Sequence, residues 1–550
     1  MGRTARRIRQ ARKLVERSVR RDLRRRKVRR TDTDLAPRTM SGNAAFEAHP
    51  PNLARTLPVV EVPLQSPSSY QRALEDTVAA ALAHHGIPFV PNPGMSGAAG
   101  SLDVRGEDWD AMLEALSFSD LDVLYGGSRR RSHPSRPLYL DTVDADAFRN
   151  SRVLYILRPA VTRHHGGVVK RYGFECAVRI ERWKTVEDGT VAPTIWSPRT
   201  ATLPAAAFSS SHAPSAATLE ARLPLTEPNL MEVGFPIDVV YTWVDGTDSD
   251  WIERKRSVLE DLAGEEMSDD AAADLRFVAH DELRHSLRSL ELYAPWIRHV
   301  YIVSDRQRPD WLRKDDPWVS IVDHTDIAPD GAALPTFNSQ AIEANLHRIE
   351  GLSEHFIYFN DDVFLSSPVT PELFFGPNGI ASMYLSRAQV ANGDPVLGEP
   401  ASDSAGKRCR ELVMETVGRR VSRKLFHTPF ALQRSVSYAI EEHWPDVVAN
   451  TRRSQFRRIE DVTLSGALHM NYAYATGRAV TRSIRYRYVN IGAANAQKRL
   501  DSLMKDSQIL QTFCLNEASS DLSADRIDSM VRRFLRLRFP DMGSFEIPGR

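Results

Sequence analysis

The sequence predicts an α/β protein: a mostly parallel sheet flanked by helices, preceded by a small α+β domain. In residues 235–535, short apolar runs alternate with amphipathic helical patterns, which is typical of a doubly wound sheet. Residues 67–205 show a different order, in which helices precede several neighbouring strand patterns. The length of 550 residues and the apolar content of 42% are sufficient for more than one buried core.

The small α+β domain is predicted from two helical patterns and several strand-like runs. Helices are expected in residues 69–85 and in the second part of LDVRGEDWDAMLEAL (102–116), and strands in IPFV (87–90), VLYILRPAV (153–161) and YGFECAVRIERWKTV (172–186). The last run is expected to turn into a hairpin at Asp188-Gly189, because Asp-Gly is a common turn signal. These patterns assign no role to the domain.

The larger domain is predicted from apolar strands that end in polar residues. Strands are expected in residues 237–244, 299–304, 319–322 and 356–359, and helices in residues 281–293 and 339–349. In such sheets, ligands bind beyond the carboxyl ends of the strands. Asp245, Asp305, Asp361 and Asp362 are expected to lie there.

The other segments are predicted to be an arm, linkers and a tail. Residues 31–66 and 206–234 are rich in Pro, Ser, Thr and Ala without sustained periodicity, which is typical of linkers. Residues 536–550 are expected to be a C-terminal tail. Residues 1–30 contain 15 Lys or Arg and two acidic residues, a net charge of +13, whereas the whole chain carries only +1.

This basic arm has three interpretations. Val15, Val19 and Leu23 would form a thin apolar stripe on a helix lying on anionic lipid. The arm could instead bind nucleic acid or be a solubilising tail. We expect peripheral contact with the inner face of a membrane and no specific nucleic acid.

Cysteines and apolar runs bear on the compartment. Cys176, Cys409 and Cys514 are far apart in the sequence and predict no disulfide framework. No apolar run reaches the roughly 18 residues that a membrane-spanning helix needs, and the N-terminus lacks the apolar core of a signal peptide. We therefore expect a cytoplasmic protein.

The stretch FIYFNDDVFL (356–365) places two adjacent carboxylates directly after a buried strand. Ionised carboxylates are costly to bury unless they are paired or bound to a metal. One interpretation is a strand that ends at a surface turn. The other is a divalent-cation site, since Mg²⁺ is held by one or two carboxylates together with substrate phosphates.

Two further pairs of residues are candidates, each with a structural alternative. Asp238 and Asp245 bracket the first strand of the sheet and would position a nucleotide or form turns. Arg284 and Arg288 lie one helical turn apart and would clamp phosphate oxygens or form ion pairs on a solvated face.

Candidates also occur near the C-terminus. His427 precedes a predicted helix and would act as a general base or be structural. Arg434 follows it, and Asn516-Glu517 would ligate a metal or cap a helix.

Taken in order, four blocks resemble the Stealth family of sugar-phosphate transferases. That family includes bacterial capsule and exopolysaccharide phosphotransferases and is similar to the enzyme that phosphorylates mannose on lysosomal glycoproteins. The blocks are IDVVYTWVDGTD (237–248), DELRHSLRSLELYAPWIRHVYIVSDRQRPDWL (281–312) extended by PTFNSQAIEANLHRIEGLSEHFIYFNDDVFL (335–365), FHTPFALQRSVSYAIEEHWPDVVANTRRSQFRRIEDV (426–462) and FCLNEASSD (513–521). Asp281, His285 and Glu517 depart from the family's usual Asn, Tyr and Asp.

The resemblance implies a GT-A-like fold and a Mg²⁺ or Mn²⁺ cofactor. It implies transfer of a hexose-1-phosphate, such as N-acetylglucosamine-1-phosphate, from a UDP-sugar to a glycan hydroxyl in capsule or exopolysaccharide synthesis, with release of UMP. From chemistry and motif position, the expected metal ligands are Asp361, Asp362, Asn516 and Glu517; the catalytic residues are His427, Arg284, Arg288 and Arg434; and the nucleotide- or sugar-binding residues are Asp238, Asp245, Gly246 and Asn338.

Two alternatives use the same motifs. A metal-dependent glycosyltransferase would attack the anomeric carbon and release UDP. A glycan-binding protein would have no turnover. The retained charged motifs favour an enzyme.

Overall fold

Strands and helices alternate through the described part of the chain. The computed structural model describes residues 60–94, 100–117, 123–127, 137–138, 146–165, 167–186, 189–195, 197–211, 213–262, 279–505, 510–517 and 521–550. The strands are β1 (Val60–Glu61), β2 (Phe89–Asn92), β3 (Ser101–Arg105), β4 (Val123–Gly127), β5 (Pro137–Leu138), β6 (Val153–Leu157), β7 (Ala160–His164), β8 (Gly167–Tyr172), β9 (Val178–Thr185), β10 (Thr190–Pro193), β11 (Leu203–Pro204), β12 (Ile237–Thr242), β13 (Val300–Ser304), β14 (Val319–Asp323), β15 (His355–Asn360), β16 (Val363–Leu365), β17 (Ala381–Met383), β18 (Leu385–Gln389), β19 (Arg423–Leu425), β20 (Phe430–Gln433), β21 (Ala479–Thr481), β22 (Tyr486–Asn490) and β23 (Thr512–Asn516).

The helices have the following bounds. They are α1 (Pro67–His84), α2 (Trp109–Ser117), α3 (Asp146–Arg149), α4 (Ala216–Ala221), α5 (Leu223–Thr226), α6 (Ser249–Asp261), α7 (Glu282–Tyr293), α8 (His324–Ile327), α9 (Ser339–Glu343), α10 (Ala401–Val417), α11 (Arg434–His443), α12 (Pro445–Arg453), α13 (His469–Ala475), α14 (Ala496–Lys505) and α15 (Ala524–Arg538).

The parallel sheet expected in the second half of the chain has the strand order β14-β13-β12-β15-β20. The first four strands run parallel, and β20 joins the edge antiparallel to β15. β12 and β13 are buried along nearly their whole length, as expected for strands covered on both faces. Thr242 pairs with Val303 on one side and with Asn360 on the other, so the carboxyl ends of these strands are level.

Helices cover this sheet and complete its core. Leu283, Leu287 and Leu290 of α7 belong to the same buried cluster as β12, β13 and β15, because residues three and four apart share one face of a helix. A second cluster joins β23 to α14 and α15. The α/β class predicted for this half is confirmed.

The small N-terminal domain has a core of its own. Leu74, Val78 and Leu82 recur every four residues on α1 and pack with Trp109 and Leu113 of α2. Behind these helices lies an eight-stranded sheet that contains β2 to β6 and β9 to β11, while β1, β7 and β8 form a separate three-stranded sheet. The predicted α+β character is confirmed, and the predicted hairpin corresponds to the antiparallel pair β9 and β10.

The helix expected in residues 339–349 ends early. α9 stops at Glu343, and Leu346–Arg348 form a separate 3₁₀ turn. The Asn345 side chain donates to the Ala341 carbonyl at 3.0 Å, while the Asn345 backbone N–H turns to Ile342. The Asn345 side chain thus occupies the Ala341 carbonyl, to which the Asn345 backbone N–H would donate if the helix continued.

The expected linker and tail contain packed structure. α4 and α5 lie within residues 206–234, and Leu225 is fully buried. α15 continues past the predicted boundary at residue 535, and the segment after it is held by a hydrogen bond from the Met542 N–H to the Val169 carbonyl at 2.7 Å. Residues 1–59, which include the basic arm, lie outside the described residues. In the described part of the chain, no helix is both long and apolar enough to cross a bilayer.

Candidate active site at the carboxyl ends of the parallel strands

Three distant parts of the sequence meet where β15 ends. Asp361 and Asp362 follow β15 directly, and the next strand, β16, pairs antiparallel with β23 so that Val363 lies opposite Cys514. The antiparallel pairing of β20 places Phe430 opposite Tyr358, which brings the preceding His427 to the same end. The structure therefore brings together four residues predicted to be functional: Asp361, Asp362, His427 and Asn516.

Asp362 is the centre of this group. His427 Nε2 lies 3.4 Å from Asp362 Oδ1 and 3.1 Å from Asn360 Nδ2. The Asn516 side chain and the Cys514 thiol donate to Asp362 Oδ2 at 3.1 and 3.3 Å. Burial opposes ionisation of Asp362, but the charge of His427 and these hydrogen bonds hold its pKa below the usual range. Asp362 is therefore a carboxylate with a fixed orientation.

His427 is tuned by the same acids. Burial lowers the pKa of His427, but the negative charges of Asp362, Glu343 and Asp361 raise it above the ordinary value. The side chain is 35% exposed, so a substrate can reach its ring. An accessible imidazole held by a carboxylate is suited to proton transfer.

Asp361 has a less favourable environment. Burial and the neighbouring charge of Asp362 raise its pKa to about 7. Among the described residues, Asp361 forms no ion pair with an arginine or lysine. Glu282, in the first turn of α7, is also buried, and burial together with Asp361 raises its pKa well above the usual value. Several acids thus share a small region with little cationic compensation.

A further acid at the site, Glu343, is missing from the sequence-based candidates. It ends α9 and accepts a hydrogen bond from the Tyr358 hydroxyl at 3.4 Å, while its Oε2 atom is buried with no hydrogen-bond partner. Tyr358 in turn lies 2.9 Å from the Thr242 hydroxyl at the end of β12. Burial raises the pKa of Glu343 to about 8. The sequence gives only a weak signal for Glu343. The residue follows Ala341-Ile342 in a helical pattern, and no basic residue lies one turn before it to form an ion pair.

Glu282 and Cys514 also join the site without a specific sequence signal. An acid in the first turn of a helix is expected from the helix dipole alone, which hides any functional role of Glu282. Cys514 is one of three separate cysteines, all of them free and buried, and only the β16–β23 pairing distinguishes it.

Two predicted residues lie at the opposite end of the sheet. Asp238, fully buried, accepts hydrogen bonds from Arg298 at 2.8 and 2.5 Å and from the Ser353 N–H at 2.7 Å. Arg434 donates to the carbonyls of His347 and Leu352, both at 3.0 Å. Gln433 pairs with His355, the first residue of β15. Arg434 therefore lies at the amino end of β15, whereas Asp361 follows its carboxyl end. Asp238 and Arg434 therefore have structural contacts at the end of the sheet away from Asp361, and their expected roles remain predictions.

Arg284 and Arg288 are also placed differently from the prediction. Arg288 donates to both carboxylate oxygens of Glu546, at 2.5 and 2.7 Å, and Arg284 donates to the same carboxylate at 2.6 Å. Glu546 is fully buried. The two guanidinium groups therefore fasten the C-terminal segment to α7, which matches the ion-pair alternative, and a phosphate clamp remains a prediction.

The remaining candidates have structural contacts near the site. Asp245 follows β12 and accepts from the Thr247 N–H and hydroxyl at 2.9 and 2.6 Å, beside Gly246. Asn338 caps α9 and donates to Asp461 at 2.7 Å. Glu517, which follows Asn516, is half-buried. Binding roles for these residues remain predictions.

Family models match three segments of the chain, and two of these supply Asp361, Asp362 and His427, whereas Cys514 and Asn516 lie outside the matched residues. Residues 235–263, 276–383 and 426–474 match Stealth protein conserved regions 1, 2 and 3. The chain therefore contains three conserved regions of Stealth proteins. Conserved region 2 supplies Glu282, Glu343 and the Asp361-Asp362 pair, and conserved region 3 begins at Phe426, one residue before His427.

Several curated relatives of this chain are named exopolysaccharide phosphotransferases. SCO6023 of Streptomyces coelicolor is 45% identical over 316 residues, covering 57% of this chain and 53% of that protein. SCO2592 of the same organism is 37% identical over 405 residues, covering 72% and 42%. CpsY of Mycobacterium leprae is 35% identical over 320 residues, covering 57% and 58%. The chain spans about half the length of the curated relatives it matches.

Solved structures give weaker matches to this chain. The galactosyltransferase LgtC, in complex with donor and acceptor sugar analogs, aligns with a TM-score of 0.30 and 10% identity, covering 57% of this chain and 98% of that chain. The bifunctional glycosyltransferase WbbM aligns with a TM-score of 0.29 and 10% identity, covering 56% and 50%. Similarity at this level supports no argument about substrate.

Proposed function

We propose that this Stealth protein transfers a hexose-1-phosphate from a UDP-sugar, such as UDP-N-acetylglucosamine, to a hydroxyl of a glycan in capsule or exopolysaccharide synthesis, with release of UMP. The observation that carries the proposal is His427 held against Asp362 at the end of β15, beside the uncompensated Asp361. The three Stealth regions and the names of the relatives support the same reaction class.

The residues at the site fit a hard divalent cation. Asp361 and Asp362 offer adjacent carboxylate oxygens, and buried carboxylates are costly without a cation. Oxygen ligands of this kind suit Mg²⁺ or Mn²⁺. Asn516 orients Asp362 through its amide N–H, and Glu517 is the next acid in the chain. When bound, the cation would offset the negative charge of the donor's diphosphate.

His427 is the residue suited to act as general base. Its Nε2 atom would accept the proton of the acceptor hydroxyl as that oxygen attacks the phosphorus attached to the sugar. The bond from that phosphorus to the UMP oxygen then breaks, UMP leaves, and a phosphodiester remains. Asp362 would stabilise the imidazolium that forms, at the 3.4 Å distance observed.

Glu343 is a further candidate for contact with substrate. Its unpartnered Oε2 atom belongs to the same group of side chains as His427. A buried carboxyl that is protonated near neutral pH can donate one hydrogen bond and accept another. A sugar hydroxyl has the complementary donor and acceptor.

Nucleotide release tests the proposed reaction. Purified protein is incubated with a panel of UDP-sugars, Mg²⁺ or Mn²⁺ and a crude glycan acceptor, and UMP and UDP are separated by chromatography. We expect UMP, only with both metal and acceptor. Asp361→Asn should abolish most of the UMP release. The control is Glu354→Gln, which changes an exposed acid directly before the first residue of β15 and should leave UMP release unchanged. UDP as the product would instead indicate a glycosyltransferase.

Membrane contact and a cytoplasmic location are separate parts of the proposal. They are supported by the net charge of +13 in residues 1–30. Deleting these residues should abolish sedimentation with anionic vesicles, and unchanged sedimentation would exclude this role.

A further inference from the structure

Three side chains of the site have the chemistry of ligands for a thiophilic metal. Asp362, His427 and Cys514 each offer one ligand atom, and these atoms lie within 4.8 Å of one another. The residues are 65 and 87 positions apart along the chain, so the fold alone brings them together. Carboxylate, imidazole and thiolate are the three ligand types that protein zinc sites use.

The spacing of the atoms fits one small cation. Zinc bonds to nitrogen, oxygen and sulfur are about 2.0 to 2.3 Å long, so ligand atoms at the corners of a tetrahedron lie about 3.3 to 3.8 Å apart. Here Cys514 Sγ is 3.3 Å from Asp362 Oδ2 and His427 Nε2 is 3.4 Å from Asp362 Oδ1, and one ligand atom from each residue lies within 4.8 Å of the other two. Small rotations of these side chains would bring the three ligand atoms to the separations of a tetrahedral site.

The surroundings hold two ligands firmly and leave one side open. The Leu515 N–H donates to the Asp362 carbonyl at 2.9 Å, so the strand pair fixes Cys514 against Asp362. Cys514 is fully buried, while the side chains of Asp362 and His427 are 16% and 35% exposed. A cation could enter from that side and keep a water as its fourth ligand.

The thiol distinguishes this arrangement from a site for Mg²⁺. Mg²⁺ and Mn²⁺ prefer oxygen, whereas sulfur and imidazole favour Zn²⁺ and other late transition metals. Asp361, which follows the same strand, offers oxygen only. Because Asp362 would be a ligand of both kinds of cation, binding of one would compete with binding of the other.

We propose that Asp362, His427 and Cys514 form a binding site for a thiophilic divalent cation of the Zn²⁺ class, and that its occupation inhibits the transferase. The cation replaces the thiol proton, which passes to solvent, and bonds to the His427 nitrogen that would otherwise accept the proton of the acceptor. The inhibitory effect rests on the proposed function. Metal binding does not.

Cobalt tests the binding without any assay of activity. We expect Co²⁺ added to the reduced, full-length protein to produce a thiolate-to-cobalt charge-transfer absorption in the near ultraviolet, and one equivalent of Zn²⁺ to remove it. Cys514→Ser should lose this absorption and more than about 100-fold in Zn²⁺ affinity, since even outer-shell changes cost about 10- to 100-fold.

Two further variants keep the test decisive. Cys409 is also a buried thiol, but its neighbour is Asn471, at 3.7 Å; Cys409→Ser should keep the absorption. His427→Asn alters a side chain that is 35% exposed, whereas Cys514 is fully buried, so it is expected to fold even if Cys514→Ser does not, and it should weaken Co²⁺ binding. Absence of the absorption in the wild-type protein, or its persistence in Cys514→Ser, would overturn the proposal.

Inhibition is measured separately, relative to the activity of each variant. The Zn²⁺ concentration that halves UMP release should rise at least about 100-fold in Cys514→Ser compared with Cys409→Ser. Equal inhibition of both would contradict the inhibitory role. A cobalt absorption in a protein that releases no UMP would leave the metal site standing and overturn the proposed function instead.

Discussion

Buried acids at the two ends of the parallel sheet differ in what surrounds them. At the start of β12, Asp238 receives two hydrogen bonds from Arg298, at 2.8 and 2.5 Å. At the end of the neighbouring β15, Asp361 is buried beside Asp362, and burial with this like charge raises its pKa to about 7. One carboxylate is neutralised by the fold, and the other is not.

The same contrast recurs in other parts of the larger domain. Glu546 is bound by Arg284 and Arg288, and Glu441 by Arg452 and Arg348; with Asp238 we call these the paired carboxylates. Despite burial, the arginines lower the pKa values of Glu546 and Glu441. Glu282, Asp361 and Glu343 are the site carboxylates, and burial raises the pKa of each.

The presence or absence of an arginine partner distinguishes carboxylates that stabilise the fold from carboxylates that are candidates for ligand binding. A carboxylate with a guanidinium partner contributes to a defined native structure, and breaking the pair leaves a buried charge. A carboxylate without one costs stability until a cation or substrate arrives. Groups of this kind with perturbed pKa values are concentrated at functional sites.

The largest expected effect is on turnover at the site. Asp361→Asn should lower UMP release by about 100- to 1,000-fold, the scale for losing one electrostatic contact to the transition state. The melting temperature should stay equal or rise, because the change removes a buried charge beside Asp362. Steady-state assays and thermal unfolding measure both. A large loss of stability would place Asp361 among the paired carboxylates.

A change in a paired carboxylate should have the opposite profile. Glu546→Gln should reduce the free energy of unfolding by about 3–5 kcal/mol, because Arg288 is left buried without its partner. Turnover per folded molecule should change little. Denaturant unfolding measures the loss, with Glu415→Gln, an exposed acid, as the control expected to stay within about 0.5 kcal/mol. A stable but inactive Glu546→Gln protein would contradict the comparison.

Glu343 gives a pH-dependent prediction. Its pKa in the folded protein is about 8, against 4.5 as the ordinary value, so the folded state binds this proton more tightly than the unfolded state. The free energy of unfolding should therefore fall as pH rises from about 5 to about 8. Glu343→Gln should remove that part of the decrease. Urea unfolding of metal-free protein at both pH values is the measurement, and parallel curves for the two proteins would contradict it.

Arg434 should give the smallest effect. Arg434→Ala removes two hydrogen bonds to carbonyls at the amino end of β15 and should cost about 1–2 kcal/mol of stability. Turnover should stay within about threefold of the wild type, because the side chain is a strand's length from Asp361. A loss of 100-fold in turnover at unchanged stability would restore Arg434 as a catalytic residue.

Local patterns were sufficient to predict the sheet and which strand end carries the adjacent carboxylates. The apolar strands ending at Thr242 and Asn360 predict the parallel sheet, and the Asn360-Asp361-Asp362 motif predicts the candidate site at its carboxyl end. The break after Glu343 could not be predicted, because it depends on which carbonyl the Asn345 side chain selects.

Arginines were the least predictable residues. Arg284, Arg288 and Arg434 occur in the blocks that resemble the family, yet their partners are Glu546 and the carbonyls of His347 and Leu352. Glu546 is 258 positions from Arg288, and no local pattern contains that information. Cys514 likewise gains its significance only from the pairing of β16 with β23.

Binding of Mn²⁺ tests the distinction between the two sets of carboxylates most directly. Free Mn²⁺ is followed by electron paramagnetic resonance while wild-type protein, Asp361→Asn and Glu546→Gln are titrated in the presence of UDP-N-acetylglucosamine. We expect wild type and folded Glu546→Gln to bind about one Mn²⁺ per chain with similar affinity, and Asp361→Asn to bind at least about 10-fold more weakly. Equal binding by Asp361→Asn and wild type would contradict the assignment of the site carboxylates.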